Sequence, residues 1–357
     1  MSAPLPTRGR GARSNATGRY EPDRRETFDD GWTAEDAEPA QLTTTVTPEK
    51  ARVIITRNDS PDVGFSASIN PYRGCEHGCI YCYARPAHAY MGLSPGLDFE
   101  SKLFFKPEAA RLLERELSKP TYVPEVIHIG GNTDPYQPQE RRLRITRGLI
   151  EVLSRFNHPF SVISKSGLIL RDLDLLAPMA ERNLVRVAIS ITSLDRKLAR
   201  SMEPRAATPE KRLDAVRRLA DAGVPTVVMF APCIPGLNDH EMEAVLDRAA
   251  AAGARSAGYV SLRLPMEIAD LFQEWLATDH PDRASRVMSL VRQMRGGKTY
   301  DSQWGKRMKG EGPLAALTSR RFAVAKTRLG LAGKLPPLDL TQFRVPPKAG
   351  DQIDLFG

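Results

Sequence analysis

Between Val53 and Arg295, short β-branched runs alternate with longer stretches of helical period, which restricts the chain to folds built from βα units. The strand candidates are Ala67–Asn70, Val126–Gly130, Phe160–Ser164, Val185–Thr192, Thr226–Ala231 and Ala257–Leu262. Between them, Pro107–Leu117, Leu143–Phe156, Asp172–Arg182, Pro209–Ala222 and Asp239–Ala252 each place apolar residues at helical spacing. Strand starts recur roughly every 25–60 residues, the interval that a helical crossover between parallel strands requires. Six units are too few for a closed eight-stranded barrel. An open partial barrel and a doubly wound sheet both satisfy the pattern, and periodicity does not choose between them.

The flanks have a different texture. Residues 1–45 are polar and aperiodic, and are expected to be mostly disordered. Residues 46–295 hold the βα array. Residues 296–332 form a basic extension with a helix over Pro313–Leu329, and 333–357 form a tail that Pro336, Pro337, Pro346 and Pro347 should keep extended rather than packed. Met1–Gly18 lacks an apolar core and the chain has no run of eighteen apolar residues, so the expectation is a cytoplasmic protein without a membrane partner. The net charge of +8 is concentrated. From Arg295 to Arg328, nine basic residues face only Asp301 and Glu311, a net +7. Such a stretch suits a polyanion such as nucleic acid, and equally a solvated surface with no partner.

The chemistry sits in Cys75-Glu-His-Gly-Cys79-Ile-Tyr-Cys82, directly after the first strand of the array. Three cysteines within eight residues argue for metal chemistry over a disulfide framework, which would spread them out. A [4Fe-4S] cubane presents one iron to each thiolate, so three cysteines leave one iron open for a substrate or cofactor. Gly74 and Gly78 would let the loop fold tightly around the cluster. The competing reading is structural zinc, which needs a fourth ligand from His77, His88 or the distant Cys233.

C-x₃-C-x₂-C with an aromatic residue before the last cysteine resembles the signature of the radical S-adenosylmethionine (SAM) superfamily. The longer string Asn70-Pro-Tyr-Arg-Gly-Cys-Glu-His-Gly-Cys-Ile-Tyr-Cys-Tyr-Ala-Arg85 is similar to the group related to spore photoproduct lyase, in a bacterial branch of it. The resemblance covers about residues 45–330. It implies an α/β fold, the (βα)₆ partial barrel, with Cys75, Cys79 and Cys82 as cluster ligands. SAM would chelate the open iron, and an electron from an external donor would cleave it to methionine and a 5′-deoxyadenosyl radical.

The resemblance also implies SAM contacts. Gly130-Gly131-Asn132 stands where the superfamily often reads Gly-Gly-Glu, and it would meet the methionine amino group through backbone carbonyls. Ser164 and Lys165 end the third strand, and the lysine would pair with the methionine carboxylate. Ser190 and Thr192 share one face of the fourth strand and could bond the ribose hydroxyls. Ile234 and Gly236 match an adenine-contacting region, although Pro232 and Asp239 depart from it, and Tyr81 would approach the adenine too. Spore photoproduct lyases commonly use a non-cluster cysteine as hydrogen donor, soon after the second strand. Here no cysteine lies between Cys82 and Cys233. Cys233 is a candidate for that catalytic role, with a buried packing thiol as the competing reading. Tyr136, like Tyr72 and Tyr83, is a candidate radical relay.

Gln352-Ile-Asp-Leu-Phe356, at the end of the tail, resembles the short peptide by which bacterial replication and repair proteins dock on the sliding clamp. Leu355 and Phe356 would fill an apolar pocket, and the tether would raise the effective concentration near DNA. Three functional readings stand: a radical SAM enzyme that repairs or modifies nucleic acid, one acting on a protein or small molecule, and a non-enzymatic metal-stabilised nucleic-acid module.

Overall fold

The computed structural model describes residues 9–22 and 42–347. Among them run ten strands: β1 (Thr45–Pro48), β2 (Ile55–Arg57), β3 (Ala67–Ile69), β4 (Tyr72–Arg73), β5 (Lys102–Phe105), β6 (Ile127–Ile129), β7 (Phe160–Ser164), β8 (Val185–Ser190), β9 (Thr226–Cys233) and β10 (Ser256–Ser261). The six expected strands are β3 and β6–β10. They lie in one parallel sheet of order β10-β9-β8-β7-β6-β3, to which β2 adds antiparallel at the β3 edge.

That order decides what periodicity left open. A doubly wound sheet reverses its strand order at a switch point. Here spatial order follows chain order throughout the parallel part, so successive crossovers wind in one direction and build a partial barrel. Alternate strand residues, including Ile127, Ile129, Val162, Val187, Ile189, Val228 and Phe230, are fully buried in the main apolar core.

The helices form where expected, for local reasons. Thr208 Oγ1 accepts from Lys211 N and Pro209 occupies the first turn of Pro209–Asp221, while Gly223 (φ +76°) turns the chain out of it. The second sheet, β1-β5-β4, had no clear signal. Its strands have two to four residues and mostly part-exposed positions, too short for a period to register. It matters because β4 runs directly into the cysteine loop.

The segment after Arg295 bridges the two borders of the open sheet. Ser261 N, at the end of β10, donates to Met308 O (2.8 Å). On the other side Arg307 Nε and Gly305 N donate to Asp62 in the β2–β3 connection (2.5 and 2.7 Å).

Two expectations are refined here. Of residues 1–45, the stretch 9–22 is packed: Arg10 and Ala12 are buried, and their neighbours bond Glu100, Asp98 and Asp279. Gly11, Arg13 and Asn15 make these contacts through backbone, guanidinium and side-chain amide, which leave no apolar period to read. The tail over 333–347 is extended but is packed as well. Asp339 N and Arg344 N donate to Asn183 O and Phe156 O, and the Phe343 ring meets those of Tyr122, Phe156 and His158. These contacts lie beside the starts of β7 and β8, at the pole opposite the cysteine loop.

His158 in that cluster carries a pH prediction. It is fully buried; Nδ1 lies 3.0 Å from Pro159 O and so holds the proton, and Nε2 accepts from Tyr122 Oη at 2.7 Å. Burial holds its pKa down at about 4. Buried His88 is likewise held at about 4. A histidine with a depressed folded pKa takes up its proton first in the unfolded chain. Stability is therefore full above the unfolded value near 6.5 and falls as pH drops toward 4, by up to about 1.4 kcal/mol per pH unit for each histidine. Urea titrations across pH 7 to 4 should show this slope, shallower in His158→Gln. An identical slope in that variant would refute the assignment.

Candidate active site

The cysteine loop occupies the C-terminal end of the parallel sheet. β4 pairs with β5 just before it, and Cys75 N donates to Phe99 O (3.0 Å), which fixes where the loop begins. Gly78 adopts φ +68°, and a Cβ there would sit 2.6 Å from Glu100 Oε2, so only glycine fits. Behind the loop lies Arg85, fully buried. Its guanidinium donates to Cys79 O (2.9 Å), Gly78 O (3.1 Å), Pro95 O (3.0 Å) and Gly96 O (2.9 Å), and pairs with buried Glu100 at 2.5 Å. Cys75 and Cys79 are buried and Cys82 is partly exposed. Burial raises the Cys75 thiol, and Asp134 and the other two cysteines add to it; burial likewise pushes Cys79 up to about 12.

Facing the loop are the ends of β6–β9. Gly130 turns the chain at φ +98°, where a Cβ would meet Pro135 Cδ at 2.7 Å, and Gly131 O accepts from the Tyr83 hydroxyl. Asn132 N donates to Asn70 Oδ1 (2.8 Å) while its side chain is exposed. Asp134 ties three elements together: it accepts from Ser164 Oγ and Lys165 N (both 2.7 Å) and lies 3.3 Å from His77 Nδ1 of the cysteine loop. Burial would raise its pKa, but His77 and these donors hold it at about 2.

Lys165 projects beside Tyr81, its Nζ 5.8 Å from the ring centroid. Burial works against its charge, yet Cys79 and Glu203 raise its pKa to about 12. Glu203 is fully buried; it pairs with Arg212 and accepts from Thr192 Oγ1 (2.5 Å) and from the Tyr81 hydroxyl. Arg212 also donates to Ser190 O (3.1 Å) and Ala207 O (2.8 Å). A buried acid between two cations thus fixes the wall beside Cys79.

The next loop is organised by Asn238, fully buried. Its Oδ1 accepts from Ile234 N (2.6 Å) and its Nδ2 donates to Thr192 O (2.7 Å) and Pro232 O (3.0 Å). Gly236 N donates to Asp239 Oδ1 (2.8 Å).

Residues 69–249, just over half of the chain, match the radical SAM superfamily. The chain belongs to that superfamily. An uncharacterized protein of Mycobacterium tuberculosis is 38% identical over 230 residues, 64% of this chain and 68% of that one. An uncharacterized protein of Methanocaldococcus jannaschii is 28% identical over 173 residues, 48% of this chain and 62% of that one. Among solved structures, spore photoproduct lyase complexed with dinucleoside spore photoproduct matches with TM-score 0.58 and 14% identity, over 80% of this chain and 79% of that one. A mutant of that lyase with bound AdoMet and the same dinucleoside gives 0.56 and 15%, over 80% and 78%. At these identities the likeness is one of fold.

Radical SAM enzymes use a [4Fe-4S] cluster and SAM, and the residues present here suit both. Cys79 and Cys82 lie close enough to Cys75 to raise its pKa, and the three thiols form the donor set. Among the described residues no three His, Cys, Asp or Glu side chains converge on a point that would hold one metal ion. A cubane asks something else, one thiolate at each of three separate irons. Lys165 couples electrostatically to Cys79, and Gly131 meets Tyr83 beside Cys82, so a cation and a glycine backbone stand next to this loop.

Other expected residues are placed differently. The Thr192 hydroxyl is given to Glu203 and the Ser190 hydroxyl reaches Ala231 O (3.3 Å), so both stand in the wall as bracing groups. Tyr136 is fully buried in the main core and donates to Asp172 Oδ2 (3.1 Å), which takes it away from the mouth; burial and Asp172 raise its pKa. Cys233 is buried in the same core at the end of β9, opposite Ser261, and burial pushes its thiol up to about 12. That burial accords with the packing reading of this thiol. The sequence does not single out Asp134, Glu203, Arg212 and Asn238, because a charged or amide residue among polar neighbours reads as surface.

Proposed function

We propose that this radical SAM enzyme acts on nucleic acid, with Cys75, Cys79 and Cys82 holding the cluster. Lys165 would receive the SAM carboxylate, the Gly130–Asn132 backbone the amino group, and Tyr81, Ile234 and Gly236 the adenosine side. When bound, the cluster and SAM supply a 5′-deoxyadenosyl radical after one-electron reduction by an external donor. The chain's own work is to orient SAM and exclude water. Asp134 locks the Lys165 backbone to the cysteine loop, and Glu203 keeps Lys165 charged by sitting across from it.

One observation carries the substrate reading: the rim beside Cys82 continues into the basic bridge. Tyr83 stacks under Arg263 (4.4 Å), Arg263 Nη1 reaches Met308 Sδ (3.2 Å), and Lys309 follows, with Trp304 exposed on the same segment. Aromatic faces among cations suit stacked bases and phosphates. The charge is smaller than composition implied. Arg295 is buried on Leu262 O and Lys306 O, Arg307 pairs with Asp62, Arg321 with Glu243 and Lys306 with Glu311. Of the five cations that these contacts leave, Lys298, Lys309, Arg320, Lys326 and Arg328, the first two lie on the bridge with Trp304 and are the phosphate contacts this reading assigns.

Lys298→Ala with Lys309→Ala should weaken DNA binding and lower the slope of log affinity against log salt by about 2. Adding Trp304→Ala should cost about 1–3 kcal/mol more on single strands. No salt-dependent DNA affinity in the intact protein would overturn this reading and favour a protein or small-molecule substrate. Reductant-dependent 5′-deoxyadenosine formation separately tests the cluster and SAM assignments.

Clamp docking through Gln352–Phe356 belongs to this proposal; those residues lie outside the described ones. Its support is the peptide itself, and equal clamp binding by the full chain and a chain truncated after Lys348 would remove it. A cytoplasmic setting completes the reading. No helix among the described residues is long and apolar enough to cross a membrane.

A further inference from the structure

Residues 9–19 cross the back of the cysteine loop at contact distance. Gly11 and Gly78 meet backbone to backbone: a Cβ on Gly11 would sit 1.8 Å from Gly78 O. Gly11 N and Ala12 N donate to the two Glu100 carboxylate oxygens (2.9 and 2.8 Å), the same carboxylate that pairs with Arg85 behind Cys79. Arg10 bonds Glu100 O, Leu42 O (both 2.7 Å) and Thr44 Oγ1 (2.8 Å), and Thr44 in turn donates to Glu76 of the loop at 2.7 Å. Farther on, Asn15 exchanges hydrogen bonds with Asp98, Arg13 pairs with Asp279 at 2.6 Å, Ser14 Oγ donates to Glu274 (2.7 Å), and Arg19 pairs with Glu267. The strap is therefore fastened at both ends, and its tightest contact is on the loop between Cys75 and Cys79.

We infer that this strap is a clamp on the cluster loop, with Gly11 and Arg10 as positioning residues that hold Cys75–Cys82 in its ligating shape and shield its rear from water and oxygen. The inference rests on the reading of that loop as the cluster site. A buried carboxylate that receives two strap amides and one guanidinium is satisfied only when the strap is seated. Lifting the strap exposes Gly78 and leaves the Arg85–Glu100 pair open to solvent.

Gly11→Ala, Arg13→Gln and the exposed-site control Ala16→Ser should be compared with the parent chain. Backbone amide exchange over 74–82 in the metal-free protein is expected to rise about tenfold in Gly11→Ala, and less in Arg13→Gln. After anaerobic reconstitution, bleaching of the iron–thiolate absorption in air should be about tenfold faster in Gly11→Ala and unchanged in Ala16→Ser. Arg13→Gln adds no atom near the loop, so it carries the test if Gly11→Ala does not fold. Unaltered exchange and bleaching in a folded Gly11→Ala or Arg13→Gln would overturn the clamp. A parent chain that takes up no iron would instead sink the cluster reading, while the exchange measurement would still judge the clamp.

Discussion

Glu203→Gln is expected to cost about 3–5 kcal/mol of unfolding free energy, because it leaves the Arg212 charge buried without a counter-ion. Both side chains are nearly inaccessible, 0% for Glu203 and 2% for Arg212. Burial alone would raise the Glu203 pKa, but Arg212 and Lys165 lower it, so the carboxylate is ionised in the fold. A glutamine keeps partners for Thr192 and Tyr81 yet supplies no charge. The double variant Glu203→Gln, Arg212→Met should recover part of the loss, since it removes both charges. A double-mutant cycle by urea denaturation reads this directly. A single variant costing under about 1 kcal/mol would show that the pair is not the buried ionic bridge described. In the Glu203→Gln protein that still folds, SAM should bind more weakly, because Lys165 loses the acid that supports its charge.

The second large effect is chemical. Cys79→Ser is expected to abolish reductant-dependent 5′-deoxyadenosine formation and to leave reconstituted protein short of iron, with little change in melting temperature. Cys79 is held by Arg85 at its carbonyl oxygen, so the loop keeps its path when the sulfur is replaced. Cys233→Ala is the matched control, because that thiol packs in the core. Full iron and product in Cys79→Ser, or their loss in Cys233→Ala, would reverse the assignment of the two cysteines.

What could be read from residues alone divides along physical lines. The six parallel strands and their crossover helices were legible because burial on a regular element leaves a period. The cysteine spacing was legible because cluster ligation needs three thiols on one loop. Strand order was not, since it depends on which neighbours each crossover selects, and neither period nor spacing encodes that. The packed part of 9–22 looked unstructured because its contacts are made by backbone amides, guanidiniums and small polar side chains. The Glu203–Arg212 pair was hidden for a related reason: Arg212 falls in a helix rich in exposed charges, where one inward-facing arginine is indistinguishable from its neighbours. Thr192 and Tyr136 were placed by strand position and residue type, and their hydroxyls turned out to be claimed by buried acids.

The span from Met308 to Asp62 has a consequence for how copies of this protein meet. A parallel sheet that stops short of closing keeps two raw borders, and each could recruit a foreign strand through its idle amides. One border is capped by the chain itself at Ser261, and the other ends in a three-residue strand bearing Arg57. Concentrated solutions should accordingly resist strand-templated polymerisation.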